Sequence, residues 1–252
     1  MKRQIMQVLV LMIMACFALA ACSAKNKTIR VGTDATWAPF EVFNESTQQF
    51  EGFDIDLMNA IAEKTTLKIE YVNVPFDALL AGMAQCQYDA AISSMTITQE
   101  RAQDMLFTDP YFSAGQLIII RNDNTDITGK DTLVGKNVGV QINTTGASEA
   151  AAIAGVNVKI YDAIDLAFAD LVNQQLDAVI VDDALAQGYI SSNSGKIKAA
   201  GEPITNEEYG IAVCKNNPDL LEKLNAGLDQ LDNDGFLDQL VEKWFMNNGT
   251  SE

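Results

Sequence analysis

The feature that most constrains the fold is an alternation of strand-like and helix-like segments that occurs twice along the chain. The first run begins with a strand at 28–33, whose apolar side chains alternate, and continues into 53–64, where apolar residues recur at helical spacing. A buried strand at 89–94 ends this run in two hydroxyl side chains. Strands separated by helices favour a mostly parallel sheet covered by helices, so the run predicts one α/β unit.

The same alternation restarts later in the chain. Its strands are predicted at 137–142, 156–161 and 177–181, with helices between them. Two apolar strands, 116–120 and 209–213, lead out of the first unit and back to it. Two α/β units joined by two strands predict two lobes, with a hinge at the connection and a ligand cleft between the lobes.

The N-terminal residues predict export rather than fold. Lys2 and Arg3 precede an apolar run that is short for a transmembrane helix and typical of a cleaved signal peptide. The run ends in Leu-Ala-Ala-Cys22, which resembles a bacterial lipobox. We therefore expect a signal peptide over 1–21, lipidation of Cys22 and a polar tether over 22–27; the alternative is an ordinary signal peptide without lipidation.

Charge and composition exclude several classes of function. The chain has 34 acidic and 17 basic residues, a formal charge of −17, so it is a poor candidate for binding nucleic acid or an anionic lipid surface. It contains no histidine, which removes histidine-based acid–base catalysis and most zinc sites. Cys86 and Cys214 are the cysteines that follow Cys22. They form either a disulfide or two buried thiols, and no metal site is expected.

Several motifs resemble, in their order and spacing, those of the family 3 extracellular solute-binding proteins, the amino-acid receptors of bacterial ABC importers. The motif Gly-Phe-Asp-Ile-Asp-Leu at 52–57 resembles the family signature. The other matching segments lie at 31–40, 76–80, 93–101, 107–111 and 243–245. Together they cover nearly all of the chain after the tether. Thr65 departs from the family, in which a small apolar residue is more common, and this concerns helix packing rather than the site.

The resemblance implies an α/β fold of the periplasmic-binding-protein type II, with two lobes joined by two crossing strands and the ligand cleft between them. Lobe 1 would comprise 28–114 and 215–252, and lobe 2 would comprise 115–214, with hinge strands near 115–121 and 208–214. The resemblance also implies a monomer without a cofactor. It would be held by its lipid anchor outside the cytoplasmic membrane, on the periplasmic side or the outer cell surface, and would deliver an amino acid to an ABC permease.

The candidate ligand contacts lie at strand ends and helix starts. Arg101 is the first, because a guanidinium binds a carboxylate through two parallel charge-assisted hydrogen bonds and the family has its carboxylate-binding arginine here. Asp182 follows a strand of lobe 2 and, by the resemblance, receives the ligand's α-ammonium; Asp183 is the adjacent alternative. The remaining candidates are Asp34, Trp37, Phe76, Ser93, Ser94, Thr96, Thr144 and Thr145.

The hydroxyl candidates are expected to bind a carboxylate. Ser93, Ser94 and Thr96 stand at the C-terminal end of a predicted parallel strand, where open α/β sheets bind their ligands. Thr144 and Thr145 stand where a strand of lobe 2 turns into a helix, whose N-terminus attracts an anion. Capping of the following turn or helix is the alternative role for both groups.

The aromatic candidates and Asp34 concern the ligand's side chain. In the family, the positions of Trp37 and Phe76 sandwich that side chain, which suits an apolar stem or a flat guanidinium, although packing is the commoner role of such residues. Asp34 is placed to meet a cationic tip. Together with the Ser-Ser-Met-Thr segment at 93–96, these residues resemble those of the members that take arginine, lysine, ornithine or histidine. The resemblance therefore implies a cationic amino acid, and the alternative is a polar one such as glutamine.

The rival class is an enzyme, because the same fold hosts a dehydratase. That activity requires a general acid with a raised pKa in the cleft. The sequence marks out no acidic pair for this role, so a binding protein is favoured over an enzyme.

Overall fold

The computed structural model describes residues 27–246. The chain begins with β1 (Ile29–Thr33), β2 (Thr36–Trp37), β3 (Glu41–Asn44), β4 (Gln49–Glu51), α1 (Phe53–Thr65), β5 (Ile69–Asn73), α2 (Phe76–Ala84) and β6 (Ala90–Ala91). A short 3₁₀ turn (Arg101–Gln103) is followed by β7 (Met105–Phe107), β8 (Phe112–Ala114) and β9 (Gln116–Arg121), and a second such turn covers Lys130–Thr132.

The remaining elements complete the second unit and return to the first. They are β10 (Asn137–Gln141), α3 (Thr145–Ala152), β11 (Asn157–Tyr161), α4 (Ile164–Val172), β12 (Ala178–Asp182), α5 (Asp183–Ser192), β13 (Ile197–Ala199), β14 (Glu207–Tyr209), β15 (Ala212–Cys214), α6 (Pro218–Asn233) and α7 (Phe236–Val241). A π-helical turn (Glu242–Met246) ends the described chain.

Two five-stranded sheets with equivalent strand orders form the framework, and we call the parts built around them lobe 1 and lobe 2. In lobe 1 the order is β5-β1-β6-β15-β7, and in lobe 2 it is β11-β10-β12-β9-β13. Each has three parallel strands next to an antiparallel fourth. Separate groups of buried apolar side chains fill each lobe. The predicted α/β fold with two lobes is confirmed.

The connection between the lobes is a small antiparallel pair, β8 with β14, in which Phe112 faces Tyr209 and Ala114 faces Glu207. The predicted second hinge strand, 208–214, is divided in the structure. Its first part belongs to β14, whereas β15 pairs with β6 and β7 in the sheet of lobe 1. We call the β8–β14 pair the hinge, and the chain has already re-entered the sheet of lobe 1 before residue 214.

The strand predicted at 89–94 is shorter than expected. Only Ala90–Ala91 forms strand β6, and Ser94 has a φ of 46°. A residue in this left-handed region turns the chain out of the sheet. The Ser94 N–H donates to the buried Asp54 carboxylate at 2.7 Å, which gives this turned backbone a partner.

The two cysteines left open by the sequence are joined. Cys86 follows α2 and Cys214 ends β15, and their Cα atoms are 5.0 Å apart in a disulfide, within the range that such a bond requires. The bridge lies entirely within lobe 1. No helix between residues 27 and 246 has the length and apolar character needed to cross a membrane. The predicted signal peptide and the lipidated Cys22 lie outside the described residues.

Candidate functional site

A cleft of about 1070 Å³ lies between the lobes. Lobe 1 contributes Thr96 and Arg101 to its lining, and lobe 2 contributes Thr144 and Thr145. Glu207, at the start of hinge strand β14, lines it as well. Residues far apart in the sequence, from both lobes, therefore meet around one cavity.

The other candidate residues do not line this cavity, and we call them the buried end of the candidate site. Each of them is at most 5% exposed: Asp34, Trp37, Phe76, Ser93, Ser94 and Asp182. Their burial means that their polar atoms must be satisfied by protein groups or by a ligand, because an unpaired buried polar atom is costly.

Gln141, at the end of β10, connects the lobes at this buried end. The Trp37 Nε1–H donates to its Oε1 at 2.8 Å, and its own Nε2 donates to Asp34 Oδ2 at 3.1 Å. The carboxamide thus lies between two residues that the sequence assigns to the ligand's side chain. Sequence reasoning missed Gln141, although its position at the end of a parallel strand was an available signal.

The Asp34 carboxylate is only partly compensated. Burial raises its pKa, while hydrogen bonds from Thr36, from Gln141 and from the Phe76 backbone act in the opposite direction. Thr36 Oγ1 donates to Oδ1 at 2.9 Å. A cation at this position would stabilise the charged form further, because an opposite charge favours ionisation.

The aromatic candidates lie face to face. The rings of Trp37 and Phe76 are 6.5 Å apart between centroids and inclined by 23°. The Arg101 guanidinium carbon lies 5.3 Å from the Phe76 centroid, within the range of a cation–π contact. Phe76 is therefore already in contact with a flat cation, which is the kind of group that the sequence predicts for the ligand.

Arg101 bridges the cleft through backbone carbonyls. Its Nη1 donates to Thr96 O in lobe 1 at 2.8 Å, and its Nη2 donates to Asn143 O in lobe 2 at 3.1 Å. Burial lowers the pKa of the guanidinium, and the negative charges of Asp182 and Glu207 oppose that shift. Because a guanidinium has five N–H donors in a planar fork, two such contacts leave donors for a carboxylate.

The two neighbouring threonines at the start of α3 have different roles. Thr144 is the N-cap: its hydroxyl accepts from the Ala147 N–H at 3.2 Å and donates to Gln141 O at 2.8 Å. Thr145 instead donates to Glu207 Oε2 at 2.8 Å. The capping role that the sequence left open thus belongs to Thr144, and the hydroxyl of Thr145 points into the cleft. The start of α3 lines the cleft together with Arg101.

The hydroxyls of Ser93 and Ser94 are directed to a buried acid. Ser93 Oγ donates to Glu41 Oε1 at 2.9 Å and accepts from the Asp34 N–H at 2.9 Å, and Ser94 Oγ donates to Glu41 Oε2 at 3.2 Å. The sequence predicted that these hydroxyls bind a carboxylate of the ligand. In the structure the carboxyl group that they bind is that of Glu41, so they hold the loop in place.

Glu41 and Asp54 form a buried acidic pair behind this loop. Burial and the neighbouring charge of Asp54 raise the pKa of Glu41 well above its usual value, and burial raises the pKa of Asp54 to about 7. Hydrogen bonds from the Ser94 N–H and from Tyr111 Oη, at 2.9 Å, act against the shift of Asp54. In such a site each carboxyl disfavours ionisation of the other, which adds to the effect of burial.

Asp182 ends β12, and each of its carboxylate oxygens accepts one hydrogen bond. Gln116 Nε2 donates to Oδ1 at 2.9 Å, and Tyr209 Oη donates to Oδ2. Burial raises its pKa to about 6. The alternative, Asp183, starts α5 and accepts from the backbone N–H groups of Ala184 and Gly115. Asp182 therefore binds side chains of β9 and β14, and Asp183 binds nearby backbone N–H groups.

Glu207 is the largest omission of the sequence reasoning. Its Oε2 accepts from Thr96 Oγ1 at 2.7 Å and from Thr145 Oγ1 at 2.8 Å, one from each lobe. Its Oε1 accepts from Thr205 Oγ1 at 2.9 Å. Nothing in the local pattern around 207 marks a site, because the residue reaches the cleft only through the pairing of β14 with β8.

Comparison with known proteins agrees with this geometry. The family model of the bacterial extracellular solute-binding proteins, family 3, matches residues 29–247. A probable histidine-binding protein of Campylobacter jejuni is 32% identical over 86% of this chain and 84% of its own length. The lysine/arginine/ornithine-binding periplasmic protein of Escherichia coli is 33% identical over 90% and 91%.

Solved structures extend the comparison. An ancestral arginine-binding protein bound to arginine superposes with a TM-score of 0.82 at 41% identity and covers 86% of this chain and 98% of its own. The arginine-, lysine-, histidine-binding protein ArtJ from Geobacillus stearothermophilus gives a TM-score of 0.81 at 35% identity, with 88% and 96% covered. The matched family and these relatives are binding proteins. This chain belongs to the family 3 extracellular solute-binding proteins of bacteria, as its motifs predicted.

Proposed function

We propose that this protein is the extracytoplasmic receptor of an ABC amino-acid importer and that it binds a cationic L-amino acid by closing its lobes around it. The observation that carries the proposal is the charge pattern of the site. One guanidinium, Arg101, lies beside the start of α3, and the negative charges of Asp182 and Glu207 act on it. A third carboxylate, that of Asp34, lies at the contact between the lobes, where it accepts from Gln141 of lobe 2. A ligand with one carboxylate and two cationic groups complements this pattern.

The carboxylate subsite consists of Arg101 and the N-terminus of α3. The guanidinium supplies charge-assisted donors, and the first turn of the helix supplies N–H groups and a partial positive charge. Thr96 and Thr145 add hydroxyls from opposite walls of the cleft. These groups bind a feature that every amino acid shares.

The side-chain subsite is at the buried end. Trp37 and Phe76 provide two nearly parallel aromatic faces, and Asp34 provides an acceptor for a cationic tip. A ligand side chain that reaches Asp34 must take the place of the Gln141 carboxamide. The relatives named for histidine, lysine, arginine and ornithine support a cationic ligand.

Closure follows from contacts that need both lobes. Arg101 and Thr96 belong to lobe 1, and Asn143 and Thr145 to lobe 2, so contacts to all of them exist only when the lobes meet. A ligand that binds the closed arrangement more tightly shifts the equilibrium towards it. The closed protein would then present both lobes to the permease as a monomer, without a cofactor.

Membrane attachment through a lipidated Cys22 is part of the proposal. Two or more acyl chains, at ~0.8 kcal/mol per buried methylene, hold a protein stably at a membrane. The tether would keep the receptor close to its permease and raise its local concentration. Cell fractionation tests this: Cys22→Ala should move the protein from the membrane fraction to the soluble fraction, and unchanged membrane association would contradict the anchor.

Glutamine is the second candidate ligand, and one contact favours it. The carboxamide of Gln141 is held between Asp34 and Trp37, so the same pair is able to hold the carboxamide of a glutamine ligand. An enzyme activity has less support. Glu41 and Asp54, the acidic pair with raised pKa values, are 0% exposed and bonded to the protein, so neither reaches a substrate in the cleft.

Calorimetric titration of the refolded, ligand-stripped protein against the twenty amino acids tests the proposal. We expect heat with arginine, lysine or histidine and weaker or no binding of acidic and apolar amino acids. If only glutamine bound, glutamine would replace a cationic amino acid as the proposed ligand. No binding of any amino acid would contradict it.

A further inference from the structure

Glu207 is a carboxylate of the cleft lining to which the proposed function assigns no particular group of the ligand. It belongs to hinge strand β14 and is partly exposed to the cavity. A single oxygen, Oε2, receives hydroxyls from both walls, Thr96 Oγ1 at 2.7 Å and Thr145 Oγ1 at 2.8 Å. The carboxylate thus lies at the point where lobe 1, lobe 2 and the hinge meet.

The carboxylates of Glu207 and Asp182 are close enough to bind one nitrogen. Gln116 Nε2 lies 2.9 Å from Asp182 Oδ1, 3.5 Å from Glu207 Oε2 and 3.1 Å from Thr145 Oγ1. A primary amide has two N–H donors, whereas an ammonium has three and a full positive charge. The surroundings that this nitrogen occupies are those that an α-ammonium needs.

Neither carboxylate has an ionic partner within the described chain. None of the ion pairs formed between residues 27 and 246 includes Asp182 or Glu207. Arg101 interacts with both through its charge but uses its Nη atoms on backbone carbonyls. Two carboxylates beside one guanidinium leave an excess negative charge, which a ligand's ammonium would compensate.

We propose that Glu207 is a second acceptor for the α-ammonium of the ligand, beside Asp182, and that the Thr96 and Thr145 hydroxyls turn from Glu207 to the ligand's carboxylate. This inference rests on the proposed function. A hydroxyl proton rotates freely about its C–O bond, so the exchange needs no backbone movement. The ammonium replaces the hydroxyls on Glu207, and the carboxylate accepts them. Glu207 and the two hydroxyls therefore each keep a partner.

The test pairs two variants with two ligands. Glu207→Gln removes the charge with little change of shape, and Glu208→Gln makes the same change at the next residue of β14, which is exposed. The ligands are arginine and 5-guanidinopentanoic acid, which is arginine without its α-amino group. We expect Glu207→Gln to lower the affinity for arginine about 10- to 100-fold, as for a lost hydrogen bond to a charged group. We expect it to leave the affinity for the analogue within about twofold, and Glu208→Gln to change neither affinity.

Other results would overturn the inference. If Glu207→Gln lost affinity equally for both ligands, Glu207 would act through the shape of the site. If the variant gained affinity for both, Glu207 would repel the ligand's carboxylate. Glu207→Asp, which keeps the charge, should retain more arginine binding than Glu207→Gln, and the reverse order would also contradict the role. If the wild type bound no amino acid, the proposed function itself would fall. If the wild type bound arginine and Glu207→Gln bound it with the same affinity, only this inference would be overturned.

Discussion

The two walls of the cleft come from sheets with equivalent strand orders, but they hold their polar groups in different ways. In lobe 1 the chain leaves β6 at once, and the loop with Ser93 and Ser94 is fixed from behind by the buried pair Glu41 and Asp54. In lobe 2 the strand β12 continues to Asp182, and α5 begins at the next residue. Lobe 1 therefore has a wall supported by a buried network, whereas lobe 2 presents a strand-end carboxylate and a helix N-terminus.

This difference indicates which contacts with the ligand each lobe makes, and in which order. A buried hydrogen-bonded network restricts movement, so we expect the lobe 1 wall to be formed before a ligand binds. The groups of lobe 2 complete the binding site only where they meet Arg101, Thr96 and the hinge residues. We expect lobe 1 to supply the first contacts and lobe 2 to supply those that stabilise closure.

The largest expected effect comes from removing the lobe 1 cation. Arg101→Ala should lower the affinity for every amino acid by about 1000-fold or more, because two charge-assisted hydrogen bonds to the ligand's carboxylate are lost. Calorimetry with the best ligand measures this. Arg30→Ala, at an exposed position on β1, is the matched control and should bind normally. Retained binding by Arg101→Ala would move the carboxylate subsite to lobe 2 alone.

The disulfide distinguishes the lobes in stability. Replacing Cys86 and Cys214 by serine should lower the free energy of unfolding by about 2–5 kcal/mol, as for the loss of a bridge closing a long loop. Denaturant unfolding measures the change, and ligand affinity serves as the control. Since both cysteines lie in lobe 1, only its transition should shift if the lobes unfold separately. A shift confined to lobe 2 would contradict the assignment of β15.

The buried pair makes lobe 1 sensitive to pH. The pKa values of Glu41 and Asp54 are raised by folding, so the folded protein binds more protons than the unfolded one above about pH 4. Stability contributed by the pair is complete at lower pH and is lost as pH rises through about 7 and beyond, at up to ~1.4 kcal/mol per pH unit for each proton.

Glu41→Gln tests this pH dependence, because glutamine resembles the protonated acid. The variant should show a smaller decline of unfolding free energy between pH 5 and pH 8 in denaturant titrations. Glu51→Gln, at a partly exposed residue of β4, is the control and should keep the wild-type slope. A wild-type stability that rises over this range would contradict the raised pKa values.

The smallest expected effects separate two neighbouring residues of lobe 2. Thr144→Ala removes the N-cap of α3 and should cost about 1 kcal/mol of stability. Thr145→Ala leaves the cap intact and should weaken ligand binding with little loss of stability. Thermal unfolding and calorimetry on the same two proteins compare them. If both variants lost only stability, Thr145 would be a structural residue.

Much of the fold was predictable because its signals are local. Apolar alternation and helical spacing located β1, α1 and the strands of lobe 2, and the family motifs placed them in order. The strand at 89–94 was predicted too long, since a left-handed Ser94 stabilised by Asp54 depends on residues 40 positions apart. Such a tertiary contact leaves no periodic pattern in the sequence.

The candidate site was predictable only in part, for the same reason. The resemblance to the family, rather than the local pattern, identified Arg101 and Asp182 as candidate ligand contacts. The direction of the Ser93 hydroxyl depends on Glu41, which is distant in sequence, so it was assigned to the ligand. Glu207 and Gln141 were missed because they enter the site through hinge pairing and lobe contact.

The central claim is a receptor for a cationic amino acid, recognised at its tip by Asp34. It is tested most directly by the ratio of arginine to glutamine affinity, measured by calorimetry in the wild type and in Asp34→Asn. We predict that the wild type prefers arginine and that Asp34→Asn lowers arginine affinity about tenfold or more, while glutamine affinity stays within about twofold. An Asp34→Asn protein with the wild-type ratio would contradict the claim.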